Sequence, residues 1–243
     1  MPNLYRSLAR LAGVILLASP WPLAGYPATA STGEKSPAPP NVAFALLTPT
    51  TYIYGYNNRL PIAVVSNARA DQVAYTSFES ADQGYWTYSG APTGSATTPG
   101  RTGIRYYPLS AGNIRRTGLP PGKYLLSYWS SARATVSGTN YALVGQSAGT
   151  AINGWTYYET VFTLSANNSS ITLSGSVNLD ELRLHPFEAQ MVTTTFDPLV
   201  GKTSETDANN VTLYYEYDAF NRLQNVRDQR GYIRKTYQYT YKP

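Results

Sequence analysis

The sequence predicts an all-β protein, and three observations carry that reading. Charged residues make up only 14% of the chain, against about a quarter in ordinary globular proteins. Tyrosine is abundant, at 22 residues, and Thr, Ser and Val are frequent, which suits half-buried pleated strands better than helices. Short alternating runs are separated throughout by Gly, Pro and Asn, and near the C-terminus the pattern recurs at a constant interval.

A chain of 243 residues with 42% hydrophobic content can bury an ordinary core, with room for one sandwich-sized domain plus smaller pieces. The formal charge of +5 comes from scattered basic residues with no Lys/Arg run or basic helix, so nucleic acid is not an expected partner. The absence of cysteine excludes disulfides, thiolate nucleophiles, zinc-thiolate sites and a lipidated N-terminal Cys.

Taken in chain order, residues 1–30 read as a signal peptide. Arg6 and Arg10 precede the apolar stretch Leu11 to Ala18, and Ala28-Thr29-Ala30 offers a small-residue cleavage site. The apolar run is cut by Ser19-Pro20-Trp21-Pro22, short of the ~20 residues a spanning helix requires, so no membrane span is expected in the mature chain. A disordered tail or a mis-assigned start is the other reading. Residues 31–43 form a polar, Pro-rich linker unable to bury enough surface to fold alone.

Residues 44–66 contain Tyr54-Gly-Tyr-Asn-Asn58-Arg59-Leu60, a strand-like segment whose counterpart lies near the C-terminus. Residues 67–186 read as roughly eight short strands in the rhythm of a sandwich or jelly roll, with clear candidates at 73–79, 101–108, 122–130, 157–164, 170–174 and 177–184. In one of them Tyr158, Thr160, Phe162 and Leu164 share a face suited to a core. Pro120-Pro121-Gly122 predicts a firm turn before another.

Residues 187–243 carry the repeat. Phe196-Asp197 returns 21 residues later as Tyr217-Asp218, Asp207-Ala-Asn-Asn210 returns at the same offset as Asp228-Gln-Arg-Gly231, and a third start falls at Tyr239-Thr240. Each unit pairs a turn, where Asn or Gly supplies positive φ, with a Thr/Tyr/Val-rich run, which predicts stacked β-hairpins. Tyr217-Asp218-Ala-Phe-Asn221-Arg222-Leu223 resembles the YD repeats of RHS proteins, which have Tyr-Asp, two residues, then Gly-Arg-Leu. Asn221 stands where the family has Gly, a substitution compatible with a left-handed residue. The resemblance implies a strand array belonging to a large hollow β-shell, with further RHS repeats of the same or a parent chain as partners. Because the upstream segment keeps Tyr, Asn, Arg and Leu at identical spacing, the central domain is expected to be inserted in the array or appended to it. A stacked array needs about three or more units plus caps, so the chain looks like a slice of something larger.

Catalytic residues are hard to assemble. His185 is the only histidine, it stands beside Pro186 at the expected domain boundary, and no HExxH, GxSxG or phosphate loop accompanies it. Glu79, Glu159, Asp180 and Glu181 are the acids a glycosidase would use, but the last two have a structural reading. Val177 and Leu179 have one parity, Leu182 and Leu184 the other, so the strand is expected to bulge at Asp180-Glu181. No enzymatic activity is expected.

Phe78-Glu79 and Asp180-Glu181-Leu182-Arg183-Leu184 resemble the first and last strands of carbohydrate-binding modules of the galactose-binding-like β-sandwich type. The resemblance implies Glu79 and Asp180 as ligands of a structural calcium shared with backbone carbonyls, chemistry that calcium favours. The alternative leaves both acids exposed, with Asp180 capping a turn. It also implies a glycan partner held on aromatic platforms. Trp86, Tyr88, Trp155 and Tyr157 are the candidates, Trp86 and Trp155 foremost because both neighbour turns; filling the core is the alternative for each, as large aromatics commonly do, and Trp129, inside a strand, reads as core. The expected function is an exported, non-catalytic binding and scaffold segment of an RHS-type protein, secreted or at the cell surface of a Gram-negative bacterium, its sandwich binding a glycan or envelope surface. A purely structural spacer or plug of a toxin-carrying shell is the second reading.

Overall fold

The computed structural model describes residues 48–240. The expected signal peptide at 1–30, the linker at 31–43 and the first residues of segment 44–66 lie outside the described residues. The described chain is all-β. Its only helical pieces among those residues are the short 3-10 turns Ala70–Gln72 and Leu109–Ala111.

The chain opens with a hairpin, β1 (Thr50–Gly55) and β2 (Leu60–Ser66). A two-layer sandwich follows. One layer holds β3 (Ala74–Thr76), β11 (Asn178–Pro186), β6 (Gly122–Ser130), β9 (Thr156–Leu164) and β8 (Tyr141–Ala148) in that spatial order, with the short β4 (Tyr107–Pro108) also on β11. The other holds β5 (Ile114–Leu119), β10 (Ser169–Ser174) and β7 (Thr135–Thr139). A meander of five further strands ends the chain: β12 (Gln190–Asp197), β13 (Gly201–Thr206), β14 (Thr212–Tyr217), β15 (Leu223–Asp228) and β16 (Ile233–Thr236).

Strand alternation builds the sandwich core. Tyr124, Leu126 and Tyr128 of β6 and Phe162 and Leu164 of β9 turn inward to meet Ile171 and Leu173 of β10 and Ile114 and Leu119 of β5. Tyr158, Thr160, Phe162 and Leu164 do share the inner face, Thr160 fully buried and Tyr158 packed on the core's edge. Each such large apolar side chain contributes about 1.5–3 kcal/mol by leaving water. On β11 the parity switch is a β-bulge: pairing with β6 slips between Asp180 and Arg183, and Glu181 sits in the left-handed region at φ 52°. Leu179, Leu182 and Leu184 all reach the core because of that extra residue.

Three expectations are corrected. Residues 101–108 do not form a strand beyond Tyr107–Pro108; the amides of Thr102, Ile104 and Arg105 are drawn to the carboxylates of Asp180 and Glu79, described below. Strands β5, β7 and β8 fall outside the six clear candidates, β7 and β8 because they are largely exposed and show little apolar alternation. His185, expected at the domain boundary, instead lies within β11 at 7% exposed.

The hairpin and the meander are one sheet. β2 pairs antiparallel with β12, Val64 opposite Val192 and Val65 opposite Met191, giving a continuous seven-stranded order β1-β2-β12-β13-β14-β15-β16. The sandwich is therefore an insertion between two neighbouring strands. A second core of Ile53, Ile62, Ala63, Val65, Val73, Tyr75 and Met191 joins β3 of the sandwich to β1, β2 and β12.

The 21-residue interval is two strands long, so equivalent turns fall on the same end of the sheet. In each turn an aspartate leads: Asp207, Asp218 and Asp228 accept the amides two and four residues ahead on Oδ1. The left-handed position is filled by Asn210, Asn221 and Gly231, the three-residue hairpin loop with a bulge. Two tyrosines tie neighbouring strands together: the Tyr217 hydroxyl, just before the Asp218 turn, donates to the Lys202 carbonyl at 2.9 Å, and that of Tyr239 to the Leu223 carbonyl at 2.8 Å.

Candidate functional site

The break in β11 aims two carboxylates away from the sandwich core. Asp180 and Glu181 are 0% and 2% exposed. Glu181 accepts from the Tyr75 hydroxyl at 2.6 Å and the Thr102 hydroxyl at 2.9 Å, and pairs with Arg183 at 2.9 Å. Thr193 of β12 bonds both Glu181 and Arg183, and Arg183 reaches the Asp207 carbonyl at 3.1 Å. This buried polar seam joins sandwich to repeat sheet. Removing one partner of such a pair would leave an uncompensated charge costing about 3–5 kcal/mol.

The loop from Gly100 to Arg105 is wrapped by two of the predicted acids. Asp180 Oδ2 accepts the Thr102 amide at 2.8 Å, and Glu79 Oε1 accepts the amides of Ile104 at 2.8 Å and Arg105 at 2.5 Å. The approach is close enough that a Cβ on Gly103, itself at φ +64°, would lie 2.4 Å from the Glu79 carboxyl carbon. Phe78, just before Glu79, is also left-handed at φ 64°. Burial first, then the charge of Glu181, pushes Asp180 well above the ordinary carboxylate value, and burial raises Glu79 in the same direction.

Glu79 and Asp180 thus serve one loop, and neither is a simple exposed acid. Their fit to calcium is incomplete in this arrangement. Backbone amides, not carbonyls, face the carboxylate oxygens, and no three acidic or imidazole side chains converge on one point among the described residues. A cation there would have to displace those amides.

The aromatic candidates separate. Trp86 is 2% exposed within the sandwich core and its indole N–H points to the Leu182 carbonyl; the turn beside it folds inward, so it offers no platform. Tyr88 packs on the same core, its ring 5.6 Å from Phe78 and 5.0 Å from Tyr107, and is likewise unsuited to stacking a ligand. Tyr157 is half-buried against Trp129, ring centroids 5.5 Å apart, with its hydroxyl on Glu159. Trp129 is buried as expected, but on the outer face of its sheet: its N–H donates to Asn210 Oδ1 at 3.1 Å and the Arg101 guanidinium covers its ring at 4.3 Å.

Trp155 alone lines open space. It stands half-buried, edge-on to Tyr106 at 5.7 Å, between a cleft of about 700 Å³ and a smaller one of about 210 Å³. The larger cleft is walled on one side by Arg101, Ile104 and Trp155 of the insertion and on the other by Tyr215, Glu216 and Arg227 of the repeat sheet. Tyr214 closes its base: its hydroxyl donates to the Arg101 carbonyl at 2.7 Å and meets the Arg101 guanidinium. Burial pushes that hydroxyl's pKa up to about 12. Arg227 and Glu216 are paired across strands at 2.6 Å. Sequence reading missed the repeat-sheet wall, because the register that faces it toward Trp155 follows only from the β2–β12 junction.

The fold and this site define a class: an all-β protein in which a sandwich interrupts a hairpin sheet and shares a cleft with it. Comparison with known proteins adds no name to that class, for no family model matches the chain and no curated protein does either. Among the described residues no helix is long and apolar enough to cross a membrane.

Proposed function

We propose that this chain is an exported, non-catalytic binding and scaffold segment of an RHS-type protein. Its carbohydrate-binding-module-like sandwich contributes a glycan or cell-envelope saccharide site at the Trp155 cleft. The observation that supports this best is the composition of that cleft: the Trp155 ring, with Tyr215 across from it, presented beside paired charges and amide groups, the mixture that stacks a pyranose face while hydrogen-bonding its hydroxyls. Because one wall belongs to the repeat sheet, a ligand would be held by both parts. The hairpin sheet, with Asp-led turns and Tyr cross-ties, is the piece of shell. A structural calcium at Glu79 and Asp180 belongs to the proposal only in exchange for the amides those carboxylates accept from the loop at the cleft's rim.

The purely structural reading is favoured by a different observation, the buried seam of Glu181, Arg183 and Thr193, which fastens the sandwich to the sheet whatever the cleft does. Titration of the whole chain with a panel of oligosaccharides, followed by calorimetry, separates the two. Saturable binding that weakens about tenfold or more in Trp155→Ala supports the first; no binding by any saccharide leaves the sandwich as a spacer or plug.

A further inference from the structure

A second aromatic cleft lies at the first strand, away from Trp155 and its neighbours. Tyr52 and Tyr54 are exposed on the same face of the edge strand β1, at 51% and 45%, their ring centroids 6.4 Å apart and only 30° from parallel. Opposite them the segment Asp82 to Tyr85 of the sandwich closes a cleft of about 240 Å³, which Asn58 and Gln83 also line. Tyr85 is a third exposed ring, at 47%.

The backbone holds Tyr85 outward at a cost. Gly84 and Tyr85 are both left-handed, at φ 54° and 71°. For Gly84 no other residue would do, since a Cβ there would collide with the Tyr75 carbonyl oxygen at 1.7 Å. For Tyr85 the same region is strained, an outlier for a bulky side chain. The neighbouring residue Trp86 is buried, so the loop sends one ring into the core and forces the next into solvent. Arg116 lies over one face of the Tyr85 ring at 5.6 Å.

We infer that the Tyr52, Tyr54 and Tyr85 cleft is a second saccharide site, which takes a neutral oligosaccharide by stacking sugar faces on the tyrosines and bonding hydroxyls to Asn58, Asp82 and Gln83. Three half-exposed rings, Tyr52 and Tyr54 side by side and Tyr85 with Arg116 over one face only, are platforms for a flat amphipathic ligand. An extended peptide added to the edge of β1 is the competing occupant, but it would want apolar pockets for alternate side chains. The cleft offers only Ile53 as an aliphatic wall, and Ile53 is itself 3% exposed. This site rests on the same chemistry as the Trp155 cleft but on different residues, so each can fail alone.

The test uses the whole chain, with cello-, xylo- and chito-tetraose as probes, read by calorimetry and by saturation-transfer NMR. Tyr52→Ala and Tyr54→Ala are each expected to weaken binding about three- to tenfold, while a Trp155→Ala control leaves this site intact. Tyr85→Gly carries the sharpest expectation: it relieves the left-handed strain and raises the melting temperature, yet weakens binding. Loss of binding with Trp155→Ala but not with the tyrosine variants would overturn this site and keep the other. Absence of binding to all three probes, or binding of an extended peptide instead, would overturn it outright.

Discussion

At the scale of single residues, the chain uses acids buried where water cannot reach them. Asp180 and Glu181 are held by a bulge that sends them out of the sandwich core and into the contact with the hairpin sheet, where hydroxyls, amides and Arg183 compensate them. Glu79, only half-buried, holds the loop at Gly103 through the amides of Ile104 and Arg105. The calcium proposal belongs here. If a cation joins Glu79 to Asp180, chelator lowers the melting temperature of the wild type and has no effect on Asp180→Asn, because a ligand bound only to the folded state stabilises it by mass action. Identical wild-type melts with calcium and with chelator would remove the ion and leave the amides as the carboxylates' permanent partners.

At the scale of elements, the Asp-led turn is the unit, and one copy lacks its aspartate. Gly55 occupies the position that Asp218 holds in the C-terminal hairpin, and the β1–β2 turn runs through three left-handed residues, Tyr56, Asn57 and Asn58. Its amides are satisfied from outside: Tyr56 N–H donates to Ser80 Oγ and Asn57 N–H to Asp82 Oδ2, each at 2.9 Å. The inserted sandwich therefore supplies the carboxylate that the hairpin does not carry. Asp82→Ala is expected to cost about 1 kcal/mol and to raise amide exchange at residues 56 and 57. An unchanged exchange rate there would contradict the assignment.

Acid should loosen the turns that carry their own aspartate. The Arg222 side chain, with the amides of Arg222 and Phe220, holds Asp218 below the ordinary Asp value; for Asp228, amides and Arg234 outweigh the opposing effect of burial. A depressed folded pKa contributes stability that is present above the unfolded value and lost as pH falls through the folded one. Melting should fall on acidification from pH about 5 downward, and less steeply in Asp218→Asn/Asp228→Asn. Equal slopes would refute a role for the turns, since the raised groups Asp180 and Glu79 push stability the other way.

The sequence made much of this legible. The parity break at Asp180-Glu181, the inward face of β9 and the left-handed Asn221 were all readable from local pattern. What escaped notice is non-local. Trp86 neighbours a turn in sequence, but the turn folds it inward; residues 101–108 read as a strand, yet the amides of Thr102, Ile104 and Arg105 go to Asp180 and Glu79 instead of a ladder; and Gly55 reveals nothing of Asp82, 27 residues on.

At the scale of the whole molecule, one seven-stranded sheet is interrupted between β2 and β12 by a complete sandwich, and both aromatic clefts lie where the two parts meet. Everything functional in this account depends on that junction, since the repeat-sheet walls face the insertion only if β2 and β12 are neighbours. The absence of cysteine permits a direct measurement. Val64 and Val192 are opposed across the junction, and Val192 is 36% exposed. In Val64→Cys/Val192→Cys, mild oxidation should close a disulfide in the folded monomer and raise stability on the order of 2–4 kcal/mol, as a cross-link spanning a long loop does. Two thiols that stay free in the folded monomer under the same oxidation would contradict the account.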